Sequence, residues 1–251
     1  MGSNNLDEKL YRLAGEWISD SEYLVAFTGA GISVESGIPP FRGKNGLWKK
    51  YNPKFLDTNY FLAYPKESWI LIKEIFYDFF GRAKPNDAHY ILAEMEKHNY
   101  IKAIITQNID NLHQLAGSKN VLEFHGTSRT LTCLNCNNKY NSEKLIETLP
   151  PYCPKCNGLL KPDFVFFGEP IPETVHNYSI KEASLADLFI LIGTTGEIMP
   201  ASMIPFIAKK NGAKFIEINV EKSRYTESIV DIYLQGKASI ILRKLQNIIK
   251  F

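Results

Sequence analysis

Hydrophobic and polar residues along the chain follow two different periods. Apolar residues three to four positions apart over 6–18 predict an amphipathic helix. The apolar run 23–27 is rich in β-forming residues and predicts a buried strand. Helix-type and strand-type patterns alternate again after residue 86. They predict helices over 87–98, 201–211 and 239–249, and strands over 101–106, 121–124, 187–193 and 214–219.

Strands that alternate with helices predict a parallel sheet with helices on both faces, which is the α/β class. In such a sheet the ligand binds outside the carboxyl ends of the strands. Small and polar residues stand at these predicted ends: the turn that begins at Gly29, Gln107–Asp110, His125, Gly193–Thr195 and Asn219. We therefore expect one shared site at that edge.

Two segments interrupt the alternation. Segment 44–86 is dense in aromatic residues and is broken by Pro53 and Pro65, so it predicts short helices around an aromatic interior. Segment 127–160 carries all four cysteines. A chain of 251 residues can form one large domain, or one domain with a smaller insertion.

Composition and charge exclude several classes of protein. A net charge of +2 gives no electrostatic reason to expect nucleic acid or a membrane surface as partner. No apolar run approaches the length of a membrane span, and the N-terminal residues lack the apolar core of a secretory signal. We expect a soluble cytoplasmic protein.

The cysteines form two C-x-x-C pairs, Cys133 with Cys136 and Cys153 with Cys156, sixteen residues apart. This spacing is typical of a zinc ribbon. Four thiolates complete a tetrahedral site and leave no position for a catalytic water, so we expect one structural zinc ion per chain. Four reduced cysteines without metal are the alternative. A redox role is disfavoured because neither pair opens a helix after a strand.

The turn after the first predicted strand has almost no side chains. Gly29, Ala30 and Gly31 allow backbone to approach a pyrophosphate, and N–H groups at a helix start attract anions. Val34 stands where a dinucleotide-binding motif has its third glycine, and packing alone also explains small residues at a turn. The tail 37–43, with two prolines, an aromatic residue and an arginine, suggests a cover over a bound nucleotide.

Polar residues at two further strand ends suggest chemistry. Two amides and a carboxylate in Gln107–Asp110 can hold ribose hydroxyls and a carboxamide, although an ordinary helix cap explains them equally well. His125 has no second histidine nearby in sequence, so it fits a general base better than a metal ligand. A lone histidine is more often a bystander, which is our interpretation of His98, His113 and His176.

One family shows these motifs in this order, and the chain resembles it from about Tyr23 to its end. The motifs are Gly29-Ala-Gly-Ile-Ser33, Phe41-Arg42, Gln107-Asn-Ile-Asp110, His125-Gly126, the two C-x-x-C pairs and Phe166-Phe-Gly-Glu169. The chain therefore resembles the sirtuins of the bacterial and archaeal type, which are NAD-dependent protein-lysine deacylases.

The resemblance implies a large Rossmann-like NAD-binding domain and a small domain. The large domain would comprise 1–43, 87–126 and 161–251. The small domain would combine a helical module, 44–86, with a zinc ribbon, 127–160. The implied reaction moves the acyl group of a modified lysine to ADP-ribose, releases nicotinamide and yields O-acetyl-ADP-ribose from an acetyl-lysine.

The resemblance also assigns residues. His125 matches the catalytic base, and Asn108 is assigned to catalysis with it. The positions that match NAD contacts are Gly29, Ala30, Gly31, Ser33, Phe41, Arg42, Gln107, Asn108, Ile109, Asp110, Gly193, Thr194, Thr195, Asn219, Val220, Lys237 and Ala238. The positions that match substrate contacts are Val165, Phe166, Phe167, Gly168 and Ile198. Because the base must be neutral, activity should fall below roughly pH 6.5 unless the site shifts the pKa.

The chain departs from the usual family pattern in three places. Pro40 replaces a polar residue of the cofactor loop. Thr195-Gly196-Glu197 stands where Ser followed by two apolar residues is commoner. Segment 69–82 lacks the Tyr-x-x-Arg that marks relatives removing acidic acyl groups, so we expect an acetyl or another uncharged acyl group.

Two other functions remain open at this stage. A mono-ADP-ribosyltransferase or NAD hydrolase on the same fold would release nicotinamide without an acyl-peptide. A non-enzymatic zinc-ribbon module would bind nucleic acid or a protein and use NAD as a sensor. The peptide strand 165–169 argues against the first, and the retained His125 argues against the second. We expect a monomer that acts on acyl-lysine proteins or peptides.

Overall fold

The computed structural model describes residues 2–41 and 46–250. Its α-helices are α1 Gly2–Asp20, α2 Thr58–Ala63, α3 Pro65–Ile72, α4 Asp87–Lys97, α5 Leu112–Leu115, α6 Glu173–Leu185, α7 Ile204–Lys210 and α8 Ala238–Ile249. Its strands are β1 Leu24–Thr28, β2 Ile101–Thr106, β3 Val121–Glu123, β4 Gly126–Cys133, β5 Lys139–Asn141, β6 Leu160–Phe164, β7 Leu188–Ile192, β8 Lys214–Asn219 and β9 Ile232–Gln235. Shorter helical turns cover Ala30–Ser36, Leu47–Lys49, Pro53–Leu56, Lys73–Phe79, Phe80–Arg82 and Ala201–Met203.

The larger sheet has six parallel strands in the order β3-β2-β1-β7-β8-β9. Strands β1 and β7 lie side by side at its centre, and every residue of both is buried. Helices α1, α4 and α8 cover one face, whereas α6 and α7 cover the other. Burial on both faces explains why these strands are uninterrupted apolar runs. The predicted α/β class with a Rossmann-like sheet is confirmed.

The order of the strands reverses between β1 and β7. The chain winds from β1 outward through β2 to β3, and later from β7 outward through β8 to β9. The crossovers on the two sides leave a crevice at this reversal, where open α/β sheets bind ligands. The turns after Thr28 and Ile192 therefore define the expected ligand edge.

A smaller antiparallel sheet, β5-β4-β6, packs against the aromatic segment. Trp69 is fully buried, and its indole N–H donates to the C=O of Leu160 over 3.0 Å. Phe61 and Phe166 meet edge to face, with ring centroids 5.2 Å apart. The aromatic interior predicted for 44–86 is thus a core shared with the small sheet.

The structure differs from the predicted elements at several bounds. Helix α1 extends to Asp20, and the helix predicted over 201–211 begins as a 3-10 turn with Pro205 at the start of α7. Strand β9 has only four residues, too few to show a period, and was missed. The segment after Gly29 is a 3-10 helix rather than an α-helix.

No helix within the described residues is both long enough and apolar enough to cross a lipid bilayer.

Candidate functional site

The turns after β1 and β7 lock together at the reversal of strand order. Gly29 N–H donates to Ile192 C=O over 3.0 Å, and Gly31 N–H donates to Gly193 C=O over 2.8 Å. A Cβ on Gly31 would lie 2.5 Å from the Cα of Gly193. Gly193 itself has a φ of +61°, which favours glycine. Close packing of two turns is therefore one reason for the small residues.

The same arrangement leaves donors for an anion. The backbone N–H groups of Ala30, Thr194 and Thr195 make no hydrogen bond with the described residues. They belong to the two turns at the crevice, where unpaired N–H groups attract phosphate oxygens. The turns therefore fit a pyrophosphate, which the sequence predicts for Gly29, Ala30 and Gly31 and not for Gly193, Thr194 and Thr195.

Ser33, Asn108 and Asp110 form one hydrogen-bonded group beside this turn. Ser33 Oγ donates to Asp110 Oδ2 over 2.7 Å. The Asn108 amide donates to Gly29 C=O over 3.1 Å and to Ser33 Oγ over 3.3 Å. Burial raises the pKa of Asp110, and the bonds from Leu112 N–H and Ser33 oppose that shift. The amide N–H of Asn108 is thus committed to the protein.

A small apolar crevice lies next to this group. Ile109 is 9% exposed, and the Phe41 ring packs against Trp48 and Phe80 with centroid distances of 5.3 and 6.2 Å. The crevice is lined by Ala30, Ile38, Phe41, Phe80, Asn108, Ile109 and Asp110. The structure therefore places Phe41, Ile109 and Asp110 around one crevice. Arg42, predicted to bind the cofactor with Phe41, lies outside the described residues.

His125 is held in one tautomer. Its Nδ1 lies 3.0 Å from the C=O of Gln107, and because a carbonyl only accepts, Nδ1 carries the proton. The remaining ring nitrogen, Nε2, then holds a lone pair. Burial lowers the pKa of His125, and the Gln107 carbonyl partly opposes that shift. The ring is therefore neutral at neutral pH, as a general base must be.

Further predicted NAD contacts lie along the ends of β7, β8 and β9. Gln107 Nε2 donates to Thr194 Oγ1 over 2.9 Å, and Asn219 Nδ2 donates to Thr194 C=O over 3.0 Å. Gly236 N–H donates to Asn219 C=O, which brings the start of α8 to the end of β8. The residues placed along this rim are Thr194, Asn219, Val220, Lys237 and Ala238.

The segment 165–168 follows β6, an outer strand of the small sheet, and its backbone bonds to His125 and Leu56. Val165 N–H donates to His125 C=O and Phe167 N–H to Leu56 C=O, each over 2.9 Å. Phe166 is buried, whereas Phe167 is 46% exposed. The C=O of Val165 and both backbone groups of Gly168 make no hydrogen bond with the described residues. An exposed backbone edge of this kind accepts an added strand.

Ile198, the other predicted substrate contact, lies in the loop after β7. Its C=O accepts from Ser202 N–H over 2.8 Å. Thr195 C=O in the same loop accepts from Arg224 N–H over 3.1 Å. That Ile198 meets the same substrate as 165–168 stays a prediction.

The four cysteines converge as the spacing predicts. The Sγ atoms of Cys133, Cys136, Cys153 and Cys156 all lie within 4.8 Å of one another. A Cβ on Gly158 would lie 2.8 Å from Cys133 Sγ, so glycine lets the chain turn tightly around the sulfurs. Four thiolates at this spacing fit a tetrahedral zinc ion.

A buried polar chain behind the site was missed at the sequence level. Thr106 Oγ1 accepts from Asn108 N–H over 3.1 Å and from Thr28 Oγ1 over 2.9 Å. Thr28 Oγ1 in turn lies 2.9 Å from His113 Nε2, and burial lowers the pKa of His113. His113 is therefore a structural partner of the site. Threonine as the last residue of both β1 and β2 was the available signal.

Comparison with known proteins gives close and extensive similarity. The model of the Sir2 family matches residues 29–200. The "NAD-dependent protein deacylase" of Pyrococcus furiosus is 46% identical, over 91% of this chain and 93% of that protein. The "NAD-dependent protein deacetylase" of Sulfurisphaera tokodaii is 45% identical, over 94% of both chains.

Solved structures agree. A Sir2 homologue mutant in complex with ADP-ribose superposes with a TM-score of 0.90 at 40% identity, over 95% of this chain and 96% of that one. A Sir2 enzyme with a deacetylated p53 peptide and 3'-O-acetyl ADP-ribose gives 0.89 at 36% identity, over 94% and 97% of the two chains. The matched model and the identity over nearly the whole length establish that this chain belongs to the Sir2 family, the sirtuins.

Proposed function

We propose that the protein is an NAD-dependent protein-lysine deacylase that transfers the acyl group of a modified lysine to ADP-ribose and releases nicotinamide. One observation carries the proposal. The His125 ring hydrogen-bonds to Gln107, a predicted NAD contact, while the His125 backbone hydrogen-bonds to Val165 of the peptide edge, the predicted peptide-binding segment 165–168. The base therefore joins the two reactants' binding sites.

The residues around His125 divide the work of the reaction. NAD, when bound, supplies a ribose carbon that the acyl oxygen attacks as nicotinamide leaves. The turns after β1 and β7 hold the pyrophosphate, and the group of Ser33, Asn108 and Asp110 orients the nicotinamide ribose and carboxamide. His125 Nε2 takes a proton from a ribose hydroxyl, because the lowered pKa leaves the ring neutral and the proton it carries is on Nδ1.

The proposed substrate is a protein or peptide that carries an uncharged acyl-lysine. The free backbone groups of Val165 and Gly168 support strand addition, which binds main chain with little selectivity for side chains. Segment 69–82 lacks the Tyr-x-x-Arg pattern of relatives that remove acidic acyl groups, which supports an uncharged acyl group. One similar structure, at 35% identity, is described as bound to a propionylated peptide.

We also propose one structural zinc ion per chain, held by the four cysteines. With all four positions filled by sulfur, the ion would take no part in the reaction. The weak net charge supports the expectation that neither nucleic acid nor a membrane is a partner. A monomer in the cytoplasm stays a prediction.

We also propose a division into two domains. The large domain comprises 1–43, 87–126 and 161–251, and the small domain comprises 44–86 and 127–160. The separate aromatic core around the small sheet supports it.

The test is nicotinamide release from NAD with and without an acetyl-lysine peptide. We expect release to require the peptide, and His125→Ala to lower the rate by at least about 100-fold, the usual contribution of a positioned base. His98→Ala, which changes an exposed histidine at the end of α4, is the matched control. Release without peptide would instead indicate an NAD hydrolase or an ADP-ribosyltransferase.

A further inference from the structure

Lys161 is a buried cation beside the proposed peptide edge. Its side chain is 13% exposed, although lysine is seldom buried. Its Nζ lies 3.0 Å from Glu169 Oε2 and 3.0 Å from the C=O of Phe164. The same ammonium lies 4.0 Å from the centroid of the Phe166 ring, within the range of a cation–π contact.

Glu169 ties this cation to the backbone of the peptide edge. Its Oε2 accepts from Phe166 N–H over 2.8 Å, and its own N–H donates to Phe166 C=O over 3.1 Å. Gly168, with a φ of +90°, makes the turn between the two residues. Segment 166–169 is therefore a small closed loop with Lys161 on the inner side of its carboxylate.

The electrostatics make the pair interdependent. Burial lowers the pKa of Lys161, and Glu169 opposes that shift, so the carboxylate helps to keep the lysine charged. Removing one partner of a buried pair leaves the other as an uncompensated charge. The Lys139–Asp163 pair nearby differs, because the Lys139 side chain is 62% exposed and solvent screens it.

Two kinds of hydrogen bond hold segment 165–169 in place. Backbone bonds from Val165 and Phe167 hold the side that faces His125 and Leu56. Phe166 N–H points to Glu169 and thus depends on the Lys161–Glu169 pair. Without that pair the free groups of Val165 and Gly168 would lose their fixed spacing, and an incoming peptide would have to order them.

We infer that Lys161 is a positioning residue for the peptide substrate: through Glu169 it fixes the spacing of the edge at 165–168 to which the acyl-lysine peptide adds. The inference rests on the proposed function. The turns proposed to bind NAD, after β1 and β7, lie on other elements. The loss of Lys161 should therefore weaken the binding of the peptide alone.

Lys161→Met tests the inference, with Lys139→Met as matched control. We expect the peptide KM to rise about 10-fold, while kcat and the KM for NAD change less than about 2-fold, because only the spacing of the peptide edge is lost. Lys139→Met should leave all three constants within about 2-fold, because the Lys139 side chain is 62% exposed and solvent screens its charge. Lys161→Arg, which keeps the charge, should recover most of the loss.

Glu169→Gln provides a second, milder variant in case Lys161→Met does not fold. Its amide oxygen still accepts from Phe166 N–H but no longer balances Lys161, so the peptide KM should rise about 3-fold. Unchanged peptide KM in folded Lys161→Met and Glu169→Gln would overturn the inference. The inference would also be overturned if kcat fell, and the KM for NAD rose, by as large a factor as the peptide KM rises. Such a result indicates general damage to the fold.

Direct binding separates this inference from the proposed reaction. The dissociation constant of a fluorescent acetyl-lysine peptide should rise in Lys161→Met as its KM does. A wild type that binds the peptide but releases no nicotinamide would contradict the proposed reaction, and the dissociation constants of the variants would still decide the inference. A wild type that does neither would overturn both.

Discussion

The hydrogen bond from His125 Nδ1 to the C=O of Gln107 decides which ring nitrogen can act as base. Since burial lowers the pKa of His125, the neutral ring persists to lower pH than a free histidine would. The acid limb of kcat/KM against pH should therefore fall below about 6.5, the ordinary value for histidine. A pH profile with saturating NAD measures it. An acid limb above 6.5 would contradict the proposed environment of His125.

Ser33 gives a second prediction at the residue scale. Ser33→Ala removes the donor to Asp110 and an acceptor of the Asn108 amide. With about 1 kcal/mol lost per hydrogen bond, we expect the KM for NAD to rise roughly 5- to 30-fold. Ser36→Ala, in the same helical turn, is the control, because within the described part of the chain Ser36 Oγ bonds only to the Asn86 amide. Equal effects of the two changes would argue against a site role for Ser33.

Residue identities were more predictable than residue geometry. The sequence proposes His125 and Asn108 as site residues because of their motifs and of their positions at predicted strand ends. The tautomer of His125 was not, because the carbonyl that fixes it belongs to another strand end. His113 was taken for a bystander, since nothing in its local sequence shows that Thr28 lies 2.9 Å away.

At the scale of elements, the turns after β1 and β7 must pack without side chains. Gly31→Ala would place a Cβ 2.5 Å from backbone of Gly193, so the turns must separate. We expect about 2–4 kcal/mol lower free energy of unfolding, as for an overpacked core, and weaker NAD binding. Gly81→Ala is the control, since its Cβ meets nothing within 4 Å. Urea unfolding measures the free energy of unfolding of both variants. A Gly31→Ala variant as stable as the wild type would refute the close packing.

The small sheet gives the second prediction for an element. Cys133 ends β4 and Cys136 lies in the loop after it, whereas Cys153 and Cys156 lie in the segment before β6, so the metal would hold these two segments together. We expect one zinc per chain by elemental analysis, and a lower unfolding temperature after chelation, because metal binding is coupled to folding. Cys153→Ser should reproduce the loss. A full-length, stable chain purified without any metal would contradict the zinc proposal.

The elements themselves were predicted unevenly. The buried strands β1, β2, β7 and β8 were found because apolar runs covered on both faces stand out in the sequence. The four-residue β9 and the antiparallel β4-β5-β6 were not, since β5 is short and largely exposed, and β4 alternates irregularly. Cysteine spacing therefore located this region better than its hydrophobic pattern did.

At the scale of the whole molecule, the reversal of strand order sets where the reaction occurs. It places the two glycine turns in contact and brings Gln107, Asn108 and His125 to the same edge of the sheet. The small sheet contributes the neighbouring peptide edge, which His125 C=O joins through Val165. Cofactor and peptide are thus expected to meet at one residue.

The most direct test of this account is a balance of products from NAD and an acetyl-lysine peptide, followed by mass spectrometry. The account predicts nicotinamide, deacetylated peptide and O-acetyl-ADP-ribose in equal amounts, all requiring the peptide and lost together in His125→Ala. Free ADP-ribose with the peptide still acetylated, or deacetylated peptide without nicotinamide, would contradict it.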